Sequence, residues 1–317
     1  MKKTLLAVAL TAASMTAIAD VKISGHANYK AGFLEDFQSG GVSTVQGNEG
    51  LTVGNASTSK SRFRINSTTE ANGITYGSNF EFGVNTGTTI DQRVNEVTAA
   101  GSFGKVSLGQ GSSAGDGASE NDFSGTYLTA GDLSSWELAD DLADNTSLDL
   151  GRLERLRYDA PAIGNLHLSA SINDSTTNDT GNDIAVSASY KLSNFAFSVA
   201  SLSAEVDNND VMSASIAGKM ANFTASLQFY STENGAASND LEQTRVFVGY
   251  NPGPFSVSVD FQQTEDDTKS VEAETVGLNF VYRPTKGVEF YAGARTAEAN
   301  DGALDENAFL FGTRVKF

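Results

Sequence analysis

Arg62 and Arg64 alternate with Phe63 and Ile65, and Arg155 and Arg157 alternate with Leu156 and Tyr158. Successive side chains of an extended chain point to opposite faces, so each arginine pair shares a polar face behind an apolar one. Guanidinium groups in this arrangement can attract anions and shape a field, but they cannot act as nucleophile or base at neutral pH. Arg93 is a further candidate, although Asn95 and Glu96 interrupt the alternation around it. The acidic counterpart is the segment 112–151, which carries Asp116, Glu120, Asp122, Asp132, Glu137, Asp140, Asp141, Asp144 and Asp149 and neither Lys nor Arg. Carboxylates facing arginines across a narrow, poorly screened gap set up a transverse field that sorts solutes by size and dipole. Within this segment, Ser134 to Leu142 has the pattern of a short helix with Leu138 and Leu142 on one face.

Covalent and acid–base chemistry have little to work with. The chain has no cysteine and two histidines, His26 and His167, both on polar faces. Ser169 stands beside His167 on one face, which is the sole hint of a nucleophile–base pair for a barrel hydrolase. Asp174 to Asp183 is rich in oxygen ligands but lacks the spacing and final glutamate of a helix-loop-helix calcium loop, so it reads as a solvated loop. There is no glycine-rich phosphate loop, nucleophile elbow or histidine metal cluster, and no cofactor is expected. Acidic residues outnumber basic ones 39 to 21, which excludes nucleic acid as a natural partner.

The elements that must position these groups are strands. In Phe255–Gln262, Phe255, Val257, Val259 and Phe261 fall on one face, with Ser256, Ser258, Asp260 and Gln262 on the other. Sixteen such segments are expected, at 21–34, 60–71, 74–86, 92–101, 104–111, 152–160, 165–173, 183–191, 194–204, 211–219, 222–231, 241–251, 254–264, 274–283, 287–297 and 306–317. Many approach the ~9–11 residues of a tilted transmembrane strand. Very short connections such as Asn72-Gly73, Ala221-Asn222 and Pro252-Gly253-Pro254 alternate with long acidic ones at 35–59, 112–151, 174–182, 205–210, 232–240, 265–273 and 298–305. Short turns at one rim and long loops at the other describe a transmembrane antiparallel up-and-down β-barrel, with both termini on the short-turn, periplasmic side.

The first nineteen residues fit that destination. Lys2 and Lys3 form a basic region, an apolar stretch follows, and Ala17-Ile18-Ala19 is a small-x-small cleavage site, so 1–19 is expected to be a cleaved signal peptide and 20–317 the barrel domain. Removing Lys2 and Lys3 leaves 19 basic against 39 acidic residues, a net charge of −20. That excess suggests a mild cation preference, on the condition that the charge lies in the lumen and not only in outer loops. Tyr29, Phe33, Tyr190, Tyr250 and Tyr282, near segment ends, suit an interfacial girdle.

The last nine residues, FLFGTRVKF, resemble the C-terminal strand of outer-membrane β-barrels, whose final aromatic, here Phe317, is part of the signal read by the barrel-assembly machinery. Ser61-Arg62-Phe63 with its Asn72-Gly73 turn, Gly101-Ser102-Phe103-Gly104-Lys105-Val106-Ser107-Leu108-Gly109, and Arg155-Leu156-Arg157-Tyr158-Asp159-Ala160-Pro161 look like the second strand, the fourth-to-fifth hairpin and the sixth strand of the Gram-negative general porins. The resemblance covers essentially 20–317. It implies a homotrimer of water-filled pores for small hydrophilic solutes, embedded in outer-membrane lipid and lipopolysaccharide, each pore narrowed by a long third loop folded into the lumen. It also puts Arg62, Arg93 and Arg157 in the basic wall, with Arg64 and Arg155 added by parity. The segment 112–151 lacks the Pro-Glu-Phe-Gly-Gly type of motif that many such loops carry. The rival readings are a substrate-specific channel, for which the lumen-parity aromatics Phe247 and Tyr291 are few, and a loop-based adhesin.

Overall fold

In the computed structural model, the described residues are 20–35, 51–56, 59–84, 90–127, 129, 152–174, 182–204, 209–234, 240–268, 270–300 and 305–317. The expected signal peptide, the helix pattern at 134–142 and most of the Asp174–Asp183 loop lie outside them. Period-two alternation becomes strand nearly everywhere: β1 (Asp20–Glu35), β2 (Thr52–Asn55), β3 (Arg62–Ala71), β4 (Ile74–Val84), β5 (Ile90–Gly101), β6 (Gly104–Ser112), β7 (Arg152–Asp159), β8 (Leu166–Asp174), β9 (Asn182–Leu192), β10 (Phe195–Ala204), β11 (Asn209–Met220), β12 (Phe223–Asn234), β13 (Leu241–Tyr250), β14 (Phe255–Asp266), β15 (Val271–Thr285), β16 (Val288–Ala299) and β17 (Asp305–Lys316).

Each strand pairs antiparallel with its neighbour in sequence from β3 to β17, and β1 closes the sheet against both β17 and β3. Closure leaves no unpaired edge, which a lipid environment requires. β2 is not a seventeenth stave. It pairs with Gly32 to Tyr29 of β1 while β3 pairs with His26 to Asp20, so the two are halves of one interrupted strand and the barrel has sixteen. Asn28, fully buried, patches the interruption. Its amide N–H donates to Ser59 O (2.7 Å), its backbone N–H to Ser61 Oγ (2.9 Å), and its Oδ1 accepts from Tyr291 Oη (2.8 Å).

The two faces sort as the alternation requires. Ile23 and Met220 are 67% and 77% exposed on the outside, whereas Asn28, Asp260 and Asn279 on the inward face are fully covered. An apolar exterior and a polar interior invert a soluble fold and match a lipid surround. Stacked pairs such as Phe63–Phe82 (centroids 4.9 Å apart) and Phe255–Tyr282 (4.8 Å) pave that exterior. At the short-turn rim, Asn72 and Gly73 both take positive φ (54° and 75°), the backbone of a tight two-residue hairpin that twists with its strands. At the seam, Phe317 and Gly25 exchange backbone hydrogen bonds of 3.0 Å in both directions.

Candidate functional site

The inward face carries charge in clusters. Glu81 of β4 sits at the centre of the first. Its Oε1 accepts from Arg62 Nη1 (3.0 Å) and Arg93 Nε (2.7 Å), and its Oε2 accepts from Arg64 Nε (2.5 Å). Arg62 and Arg64 reach it because they share the inward parity of β3. Arg93 reaches it through a β-bulge. The register with β4 steps from Glu81 opposite Val94 to Phe82 opposite Gln92, leaving Arg93 as the extra residue. A bulge re-aims one side chain and resets the alternation beyond it, which explains why the pattern around Asn95 and Glu96 looks broken in sequence.

A second cluster surrounds Glu289 of β16, which accepts from Arg283 Nε (3.1 Å), Arg314 Nε (2.5 Å) and Lys316 Nζ (3.1 Å). Arg314 Nη1 also donates to Ser59 Oγ (2.9 Å). His26 lies between the two clusters, opposite Lys316 on one side and Arg62 on the other, with its Nε2 3.1 Å from Lys60 O. Following the register from β15 through β16, β17, β1 and β3 to β4 and β5 gives an unbroken inward band: Arg283, Glu289, Arg314 with Lys316, His26, Arg62 with Arg64, Glu81, Arg93.

Arg155 and Arg157, also on one inward face, do different work. Arg155 pairs with Glu96 (2.6 Å) and donates to Ser112 O (2.5 Å) and Gly109 O (3.2 Å); Arg157 pairs with Asp159 (2.9 Å) and donates to Ser113 O (2.7 Å). Each is neutralised by a wall carboxylate and fastens the start of the 112–151 segment. On the far wall, Asp260 of β14 pairs with Arg295, accepts from Asn279 Nδ2 (2.5 Å) and lies 3.9 Å from Arg245, whose guanidinium stands 4.6 Å over the Phe247 ring.

The described part of the long segment runs along this far wall. Ala114 N–H donates to Ser171 Oγ (2.9 Å), and Ser213 Oγ donates to Ser119 Oγ (2.7 Å). Asn121 Nδ2 donates to Ser198 and Ser215 (2.7 and 2.8 Å), Asn251 Nδ2 to Phe123 O (3.2 Å), and Thr126 bonds Ser258. Arg283 Nη2 donates to Gly125 O (2.6 Å), and Thr129 Oγ1 to Phe280 O (3.3 Å). Gly125 takes φ 74°, a left-handed turn open to glycine, which brings its carbonyl to Arg283. The inward serines of β8, β10, β11 and β14 are therefore a docking track for residues 114–129.

Of the nine acids of segment 112–151, Asp116, Glu120 and Asp122 lie on this track, and Asp132, Glu137, Asp140, Asp141, Asp144 and Asp149 lie outside the described residues. Glu120 accepts from Tyr127 Oη (3.2 Å); Asp122 accepts from Ser124 N–H (2.6 Å) and Oγ (2.7 Å). Burial raises the Asp122 pKa above the usual carboxylate range, outweighing the Ser124 bonds and nearby Arg245. Sequence reasoning missed Glu81, Glu96, Asp260 and Glu289 and the basic residues Arg245, Arg283, Arg295, Arg314 and Lys316. Their inward parity was readable, but their partnerships join residues up to 59 apart through strand register. His26 and His167 are not brought together: His26 contacts loop carbonyls at the seam, and His167 is exposed at the start of β8.

A closed sixteen-stave barrel, apolar outside and charged inside, defines an outer-membrane multi-pass β-barrel. The family model described as "Gram-negative porin" matches residues 5–302, and the chain belongs to that family. No curated protein sequence matches it. Among solved structures, the anion-selective porin from Comamonas acidovorans is similar over 94% of this chain and all of that one, with a TM-score of 0.75 at 14% identity. The trimer form of OmpT, an outer membrane protein of Vibrio cholerae, is similar over 94% and 99% with a TM-score of 0.68 at 13% identity. A mutant of the Rh. blastica porin is similar over 94% and 100% with a TM-score of 0.63 at 18% identity. Such likenesses establish the fold.

Proposed function

We propose that the chain forms a water-filled channel through which small hydrophilic solutes and ions diffuse passively, narrowed where segment 112–151 crosses the lumen. The observation that carries this reading is the division of the inward surface. Residues 114–129 occupy the β8–β15 side, and the Arg62, Arg64 and Arg93 cluster stands on the wall they leave uncovered. Arg155 and Arg157 hold the root of the segment, and Asp116, Glu120 and Asp122 supply its acidic side, continued by Asp132, Glu137, Asp140 and Asp141. Tyr291 is bonded to Asn28 and Phe247 is covered by Arg245, which argues against an aromatic sugar track. The mild cation preference suggested by net charge requires acid in the lumen, and the described wall carries more base than acid.

The mature chain would begin at Asp20 after signal cleavage, present Phe317 to the assembly machinery, seat its apolar exterior in outer-membrane lipid and lipopolysaccharide, and associate as a homotrimer. Reconstitution into planar bilayers tests the core of this. Conductance in three equal steps is the expected result, and an electrically silent but correctly folded barrel would overturn it.

A further inference from the structure

We infer that the channel selects small anions over cations, against the sign of the protein's own net charge, and that the band from Arg283 to Arg93 is the determinant. This rests on the channel reading above and names what passes through it.

The band holds six basic side chains, Arg283, Arg314, Lys316, Arg62, Arg64 and Arg93, against two carboxylates, Glu289 and Glu81. Two carboxylates cannot neutralise six cations, so an excess of four positive charges stays on one contiguous stretch of lumen wall. Three of the six keep open access to water: Arg64, Arg283 and Lys316 have side chains 34%, 36% and 45% exposed. Their spare N–H groups can meet a passing anion. Of the other inward arginines, Arg155 and Arg157 each have their own carboxylate, and Arg245 and Arg295 share Asp260 on the far wall.

Part of the described acid lies on the outside of the barrel. Asp210, Glu233, Glu242, Glu265, Glu274 and Glu298 are exposed and fall on the outward parity of β11 to β16, next to the long loops. They lie directly across from one another, Asp210 opposite Glu233, Glu242 opposite Glu265, and Glu274 opposite Glu298, on the outside of the barrel. Charges there face headgroups and bulk water. A Debye length of about 8 Å at physiological salt screens them from an ion in the lumen. That ion instead passes within contact range of the band, where selectivity is set by the lining side chains. The counterweight is the loop acid. Of the acids on the docking track, Asp122 is drawn inward by Ser124 and held where burial disfavours its charge.

The test is the zero-current potential of the full mature protein in planar bilayers under a tenfold KCl gradient. Chloride permeability exceeding that of potassium is expected. Lys316→Gln combined with Arg64→Gln should lower the ratio by about twofold or more through loss of two lining charges. Glu81→Gln should raise it. Lys316→Glu, at the most exposed member, gives a second reading that does not disturb the Glu81 cluster. Absence of any conductance would sink the channel reading itself. Conductance with a potassium-selective potential would leave the channel standing and overturn the anion inference. An anion-selective wild type whose ratio is unmoved in well-folded double and Lys316→Glu variants would overturn the role of the band.

Discussion

Asn28 shows how one polar side chain can stand in for missing backbone pairing. Where β2 stops and β3 has not begun, its amide bridges the Ser59 carbonyl and the Tyr291 hydroxyl. Asn28→Ala leaves both groups buried without that partner and should cost about 1–3 kcal/mol. The check is a lower midpoint for heat-induced unfolding in detergent, followed by the gel mobility shift of the barrel. Asp122 gives a prediction of the opposite kind. Its folded pKa is raised by burial, so the native state holds the proton more tightly than the unfolded one. Stability of the docked segment is therefore greatest below the ordinary aspartate pKa and declines as pH rises through the raised value. Protection of the Ser124 amide, taken relative to the intrinsic exchange rate at each pH, should fall over that interval, and Asp122→Asn should abolish that fall.

At the scale of elements, the docked segment is held by side chains and not by a ladder. Asn121 alone bonds two neighbouring strands through Ser198 and Ser215. Asn121→Ala removes about 1 kcal/mol for each bond and should loosen the segment without unfolding the barrel. Increased open-channel current noise, with unchanged thermal stability, is the expected signature. The strands were legible in sequence because period two is a local property; all sixteen segments match observed strands with ends within three residues. The β5 bulge was not. A bulge is defined by what the extra residue opposes, so Arg93 could be suspected from its type, while its shared ligand Glu81 required the β4–β5 register.

At the scale of the whole molecule, the described outward face near the long-loop rim sets acid against acid across β11 to β16. Like charges placed directly opposite on neighbouring strands repel, costing a few tenths of a kcal/mol or more per pair. Raising monovalent salt from about 10 mM to 150 mM shortens the screening length severalfold. The thermal midpoint should therefore rise over that range, and replacing Glu242 and Glu265 by Gln should flatten the response. A midpoint indifferent to salt in both proteins would mean that the outward acids do not sense one another.

The sequence by itself determined the sorting of side chains into two faces, the alternation of short and long connections, and hence a closed transmembrane barrel of the porin kind. Those depend on nearest neighbours along the chain and on the bilayer's demand that every backbone group be paired. Which charges meet was decided only by the tertiary structure. Glu289 reaches Arg314 and Glu81 reaches Arg93 because register and closure bring separate strands side by side, and electrostatic energy depends on distance through space. Net charge, a sum without positions, pointed to cations; the positions of the described arginines along the band from Arg283 to Arg93 are what the proposal of anion preference rests on.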